Sequence, residues 1–254
     1  MKKFLMRYDD AIKKYRSGEF GDVPLTLYDI LSKVGEVDIL EKMSLSEIRT
    51  LTDNSSGLLK QMFAASAKRK IHAIEKMQCL EDELTTLGIK NYCHSESVSD
   101  EDLAKKFNLE VIYCKPAEMS KDDEATLSPP ENKKYFGTIK VLENANTSKF
   151  SYMHEIIHYL RDVGEGNIVS KTYTRKKRGK TDSPDEQDIN YLTAATVMPL
   201  EQISNLLNEY ETMGPCEEKD FISQTAQKYG QDEDAVLRRF IEVRNLVDYN
   251  TCVV

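Results

Sequence analysis

The run His154-Glu155-Ile156-Ile157-His158 places two histidines and a glutamate at a spacing that suits metal chemistry. Residues four apart lie on the same face of an α-helix, so both imidazoles can bind one metal ion, and Glu155 can reach a water on that ion. These are the ligands and base of a metal-dependent hydrolase. The alternative is an ordinary helix that carries two partly exposed histidines.

The residues around this run predict one helix of about four turns. Residues 146–148 (Asn, Thr, Ser) are candidate N-caps, and Gly164 and Gly166 are stop signals. Apolar residues recur at three- and four-residue steps, as an amphipathic helix requires: Phe150, Met153, Ile157 and Leu160. Both histidines should therefore lie at the edge of a buried face.

A catalytic zinc site normally has three protein ligands, so a third must come from elsewhere in the fold. Glu186 is the best candidate, 28 positions beyond His158 (186 − 158), at the start of a second helical pattern. Ser183 is a candidate N-cap of that helix, and Pro199 ends it. Ser-x-x-Glu is also a capping box, in which Glu186 would bond back to the serine backbone. Spacing alone leaves both roles open.

Three segments together closely resemble the ImmA/IrrE family of metallopeptidases. They are KFSYMHEIIHYL at 149–160, EQDIN at 186–190 and VMP at 197–199. Weaker similarity in the flanking elements extends the resemblance to roughly residues 97 to 248.

The resemblance implies a site and a substrate class. His154, His158 and Glu186 would bind Zn²⁺, Glu155 would be the general base, and Asn190 would orient a ligand without touching the metal. The implied activity is hydrolysis of a peptide bond in a specific cytoplasmic protein, typically a transcriptional repressor, which would make the protein an anti-repressor.

The expected fold is α+β and mainly helical: a zincin-like metallopeptidase core with a small β-sheet, plus an N-terminal all-helical domain. The expected domains are residues 1–96, with several helices, and residues 97–254, which end in a C-terminal helix pair at 221–230 and 232–247. Inside the second domain the pattern predicts these elements: a capped helix that runs into a short strand over 99–113, a strand at 136–142, and a flexible insertion at 115–134.

Composition limits the other possibilities. The chain has 254 residues, 40% of them hydrophobic, and a net charge of −8, which argues against broad nucleic-acid binding. We find neither an apolar run of membrane-spanning length nor a signal-peptide pattern, and the five cysteines show no paired metal spacing. A cytoplasmic location without membrane contact is therefore expected.

Two features leave alternatives open. The basic run at 175–180 is more easily explained as a solvated, mobile loop than as a docking site for an acidic partner or a phosphate backbone. Tyr173 and Tyr191 are candidate oxyanion donors.

The competing function is a non-catalytic regulatory protein, or a DNA-associated regulator, with a structural zinc site. The sequence does not predict an oligomeric state.

Overall fold

The structure is a computed structural model and describes residues 43–89, 100–143, 148–176, 183–213 and 215–253. The predicted N-caps at 146 and 147, residues 177–180 of the basic run and most of the segment before Ser44 lie outside the described residues. Within the described ranges, every helix is too short or too polar to cross a membrane.

Eight α-helices and four strands are described in these ranges, a mainly helical α+β fold. In chain order they are α1 (Leu45–Asp53), α2 (Gly57–Thr86), α3 (Asp100–Lys106), β1 (Leu109–Cys114), β2 (Asp123–Ser128), β3 (Gly137–Leu142), α4 (Ser148–His158), β4 (Tyr173–Lys176), α5 (Pro184–Val197), α6 (Leu200–Tyr210), α7 (Pro215–Tyr229) and α8 (Glu233–Val253).

The four strands form one mixed sheet in the order β1-β3-β2-β4. β1 pairs in parallel with β3, Leu109 opposite Gly137, whereas β2 is antiparallel to both β3 and β4. Gly137 lies where a side chain would not fit, because an added Cβ would come 2.6 Å from Val169 Cγ2. The buried strand β3 is thus central, and β4 forms an edge of the sheet.

Helix α4 packs across β2, β3 and β4 and also against α5, so the sheet supports the helix that carries the two histidines. Apolar residues from the end of α2, the sheet and the later helices form one core: Leu80, Leu84, Ile89, Phe107, Leu127, Ile139, Ile156, Ile157, Leu192, Val236 and Phe240 are among its members. Burial of these side chains is the main force that holds the sheet and helices together.

By their internal contacts the residues divide into two units, 77–243 and 1–76 together with 244–254. In the smaller unit, Ser44 and Glu47 form a reciprocal capping box at the start of α1. Also in that unit, Tyr249 on α8 lies 3.3 Å from Glu75 on α2. The predicted domain boundary at 96/97 falls within 90–99, outside the described residues, and stays a prediction.

Two local predictions were wrong. The expected flexible insertion at 115–134 contains β2, whose Ala125 and Leu127 are fully buried in the alternate positions of a strand. Arg175, expected in a solvated basic loop, belongs to β4 and is 9% exposed. In both segments charged side chains masked a strand, because the sequence did not show which charges were paired inside the fold.

A buried ion pair joins distant parts of the larger unit. The Arg239 guanidinium on α8 donates to Glu81 on α2 (2.8 Å), to Glu242 (3.3 Å) and to the Met198 carbonyl after α5 (3.0 Å). Glu81 also accepts a 2.9 Å hydrogen bond from Tyr191 on α5. Three helices therefore meet at one fully buried cation.

Candidate metal centre

The HExxH run lies on α4 with all three of its polar side chains inside the protein. His154 is 1% exposed, Glu155 0% and His158 5%. The alternative of partly exposed histidines on an ordinary helix is therefore wrong. After His158 the chain makes a π-helical turn over Tyr159–Val163, and Gly164 then ends the helix with a φ of 88°. The predicted helix and its glycine stop are confirmed.

Glu186 lies in the first turn of α5, as the capping signals predicted. Its backbone N–H donates to Ser183 Oγ over 3.2 Å, which is one half of a capping box. Its carboxylate turns to the histidines instead of forming the other half. Oε2 lies 3.3 Å from His154 Nε2, and Oε1 lies 3.3 Å from His158 Nε2. The structure thus brings together His154, His158 and Glu186 from two helices.

These three side chains have the geometry of a site for one metal ion. Each offers a ligand atom, and the ligand atoms lie within 4.8 Å of one another. Two ligands at zinc bond lengths of about 2.0–2.1 Å, on the corners of a tetrahedron, are about 3.3–3.4 Å apart. The observed Nε2 to carboxylate separations of 3.3 Å match that value. One carboxylate and two imidazoles are also a donor set that zinc favours.

Buried polar atoms without hydrogen bonds also point to a bound metal ion. Both ring nitrogens of His154 and both carboxylate oxygens of Glu155 are buried, and none makes a hydrogen bond with the residues that the structure describes. His154 Nδ1 lies 3.7 Å from Glu155 Oε1, which is too long for a hydrogen bond. Buried polar atoms without partners are costly. A metal ion on His154 Nε2 and a water beside Glu155 would give partners to that nitrogen and to the carboxylate, so the residues fit a metal centre.

Asp162 orients His158 from the far side of the ring. Its Oδ2 lies 2.8 Å from His158 Nδ1, so the Nδ1–H donates to the carboxylate and the Nε2 lone pair faces Glu186. Carboxylate–histidine pairs of this kind fix ring orientation at metal sites. The four-residue spacing of Asp162 from His158 was the signal available in the sequence.

Charge coupling in the cluster changes two titrations. The contacts with His154 and His158 hold the pKa of the Glu186 carboxyl well below its ordinary value, although partial burial acts the other way. Burial by itself lowers the pKa of His158, but the contacts with Glu186 and Asp162 outweigh it and raise the pKa. Protons and a metal ion would therefore compete for the same atoms.

The other predicted residues lie nearby with different partners. Asn190 Oδ1 accepts a 2.8 Å hydrogen bond from Arg175 Nη1. The Tyr173 ring lies 5.0 Å from the His158 ring, centroid to centroid. The Tyr191 hydroxyl donates to Glu81, and burial raises its pKa, so it is engaged in the buried ion-pair network. The roles predicted for His154, Glu155, His158, Glu186 and Asn190 stay predictions.

Comparison with known proteins gives one informative result. Searches of curated proteins and of solved structures find no significant match. Residues 104–240 match the M78 peptidase family, described as the IrrE N-terminal-like domain. This span is more than half of the chain and contains α4 and α5 with the whole cluster. The chain therefore belongs to the ImmA/IrrE family of metallopeptidases.

Proposed function

We propose that the protein is a zinc-dependent endopeptidase with a zincin-like core that hydrolyses one peptide bond in a specific cytoplasmic protein, a transcriptional repressor or regulator. The family supports metallopeptidase chemistry. The observation that carries the proposal is the Glu155 carboxylate, which is buried beside His154, His158 and Glu186 and makes no hydrogen bond within the described part of the chain.

His154, His158 and Glu186 would hold the metal. Zinc, when bound, supplies Lewis-acid chemistry that makes a water more acidic and a carbonyl more electrophilic. Asp162 keeps His158 in the tautomer whose Nε2 can bind a metal. The helical spacing puts Glu155 one position from His154, within reach of a water in the site.

Glu155 would act as base and then as acid. Its free oxygens accept a proton from water as that water attacks the scissile carbonyl, and the carboxyl returns the proton to the leaving amine nitrogen. Burial suits this role, because a carboxylate outside bulk water interacts more strongly with charge that develops next to it.

The first experiment separates metal binding from catalysis. We expect His154→Ala, His158→Ala and Glu186→Ala to lose stoichiometric zinc, measured by elemental analysis of the purified proteins. Glu155→Gln should keep the metal, because Glu155 acts on water. Glu165→Gln is the matched control, since it makes the same chemical change at an exposed position close to the helix. Full zinc in Glu186→Ala would refute the proposed ligand set.

The second experiment tests the reaction. A proteome-derived peptide library is treated with the zinc-loaded wild type, Glu155→Gln and Glu165→Gln proteins, and new N-termini are counted by mass spectrometry. New termini with wild type and Glu165→Gln, and none with Glu155→Gln, would support a peptidase. Proteins held by Glu155→Gln and then cut by the wild type would identify the substrate, and a repressor among them is the expected result.

The competing function, a regulatory protein with a structural zinc site, makes the opposite prediction. A structural site has no use for a carboxylate beside an open coordination position. Under that hypothesis Glu155→Gln would bind its partner and act as the wild type does, and no new N-termini would be found in either sample.

A further inference from the structure

Arg175 lies at the point where the sheet edge meets both helices of the metal cluster. Its Nε donates to Glu124 Oε2 on β2 over 3.1 Å, and its Nη1 donates to Asn190 Oδ1 on α5 over 2.8 Å. Its guanidinium carbon lies 4.5 Å from the centroid of the Phe150 ring on α4. One nearly buried side chain on β4 therefore contacts three other elements.

The two helix contacts lie one turn from the cluster residues. Asn190 follows Glu186 by four positions (190 − 186), and Phe150 precedes His154 by four (154 − 150). Residues four apart share a helix face. The guanidinium thus contacts the cluster-bearing face of each helix at the turn next to the cluster residue.

The contact on the sheet is itself fixed. Glu124 Oε2 also accepts a 3.3 Å hydrogen bond from Ser151 Oγ, and Ser151 is buried on α4. The guanidinium donates along two directions while its carbon lies over the Phe150 ring, which a lysine ammonium cannot reproduce. These three contacts therefore use the shape of the guanidinium and not just its positive charge.

We infer that Arg175 is a positioning residue, which sets the separation and rotation of α4 and α5 and thereby the ligand geometry of the metal centre. It holds α4 through Phe150 and Ser151–Glu124, and α5 through Asn190. The inference rests on the proposed function for its metal readout, and it assigns Arg175 no contact with substrate.

The test compares metal binding in Arg175→Met, Arg175→Lys and Lys149→Met. Lys149→Met is the matched control, because it removes one positive charge from an exposed position on α4. Co²⁺ is the probe, since its visible absorption reports coordination geometry. We expect Arg175→Met to bind Co²⁺ at least tenfold more weakly and with an altered spectrum, because loss of supporting contacts costs metal sites about 10–100-fold.

The Co²⁺ affinity of Arg175→Lys should lie between those of the wild type and Arg175→Met. Lysine keeps the positive charge but not the two directed hydrogen bonds or the contact with the Phe150 ring. Wild-type affinity and spectrum in Arg175→Lys would show that charge alone suffices and would overturn the positioning role. Wild-type behaviour of Arg175→Met would overturn it as well. Lys149→Met should leave both readouts unchanged.

A double-mutant cycle tests the route through Asn190. Asn190→Leu removes the hydrogen bond from Arg175 and is milder than Arg175→Met. Its Co²⁺ affinity can therefore still be measured if Arg175→Met does not fold. If Arg175 acts on α5 through Asn190, the double variant should bind Co²⁺ less weakly than the product of the two single effects predicts. Independent effects that multiply would overturn this route.

A metal-free measurement separates this inference from the proposed function. Hydrogen exchange of the metal-free proteins should be faster in Arg175→Met than in Lys149→Met over the amides of α5, with α6 unchanged as an internal reference. Equal exchange in α5 would overturn the inference even if zinc binds. Faster exchange together with a wild-type protein that binds no Co²⁺ would sustain the positioning role and refute the metal centre.

Discussion

Replacement of Arg239 by methionine should destabilise the larger unit strongly. The Arg239 side chain is 0% exposed and contacts the carboxylates of Glu81 and Glu242, which are 11% and 20% exposed. Burial favours loss of the charge, but Tyr191, Glu242 and Glu81 outweigh it and raise the Arg239 pKa, so the group stays cationic. Methionine would fill similar space without neutralising either acid.

The expected cost is about 3–5 kcal/mol, because removal of one partner of a buried ion pair leaves the other charge uncompensated. For a unit of this size, 1 kcal/mol corresponds to about 2–4 °C in Tm, so the melting temperature should fall by about 10 °C. Urea unfolding of the metal-free protein, followed by circular dichroism, measures the cost without a contribution from ligand binding. Arg238→Met, an exposed neighbour on α8, is the control and should change stability by about 0.5 kcal/mol or less.

Uncompensated charge, and not lost packing, is the proposed cause of this cost. The double variant Arg239→Met with Glu81→Gln should therefore recover part of the lost stability, because the stranded carboxylate is gone. If the double variant is as unstable as the sum of the two single variants, the electrostatic explanation is wrong. A cost below about 1 kcal/mol for Arg239→Met would contradict it too.

Three further predictions concern the site and the sheet. Asp162→Ala should weaken zinc binding about tenfold, the low end of the usual range because Asp162 is partly exposed, as measured by chelator competition; unchanged affinity would contradict the orienting role. In the metal-free protein, the raised pKa of His158 stabilises the fold fully below about pH 6.5, and this stability is lost as the pH rises through the pKa of His158 in the folded protein. The lowered pKa of Glu186 stabilises the fold above about pH 4.3, and this stability is lost on acidification. Urea midpoints should thus be highest near pH 5–6 in wild type, and Glu186→Gln should flatten the profile. Gly137→Ala should lower the free energy of unfolding in urea by about 1–3 kcal/mol, because its Cβ would lie 2.6 Å from Val169 Cγ2. Adding Val169→Ala should restore much of that stability, and no recovery would contradict this cause.

Local signals predicted most of the site. Helical spacing around residues 154–158, the Ser183 cap and the Pro199 stop placed both cluster helices, and the structure confirms these elements. The sequence left Glu186 with two roles, because the side chain of a first-turn glutamate can reach either the Ser183 backbone or another helix. Its contacts with His154 and His158 are tertiary and have no local signature.

Pairing across the fold could not be predicted. Glu124 and Asn190, which accept hydrogen bonds from Arg175, lie 51 and 15 positions away along the chain, so the sequence showed a basic run and not a buried cation. The strand β2 was missed for a related reason: Asp123 and Glu124 obscure the alternation of Ala125 and Leu127. Charged residues predict solvent exposure unless their partners are known.

The contact between Glu81 and Arg239 also has a consequence for the order of folding during synthesis. The two residues are 158 positions apart, and the sheet and both cluster helices lie between them. During synthesis, α2, the sheet, α4 and α5 therefore leave the ribosome before Arg239, the partner of Glu81, has been added to the chain. We expect the unit to close late, with α8 docking as the final step, and a ribosome-bound chain that ends before Arg239 to remain sensitive to proteases although it already carries every residue of the metal cluster.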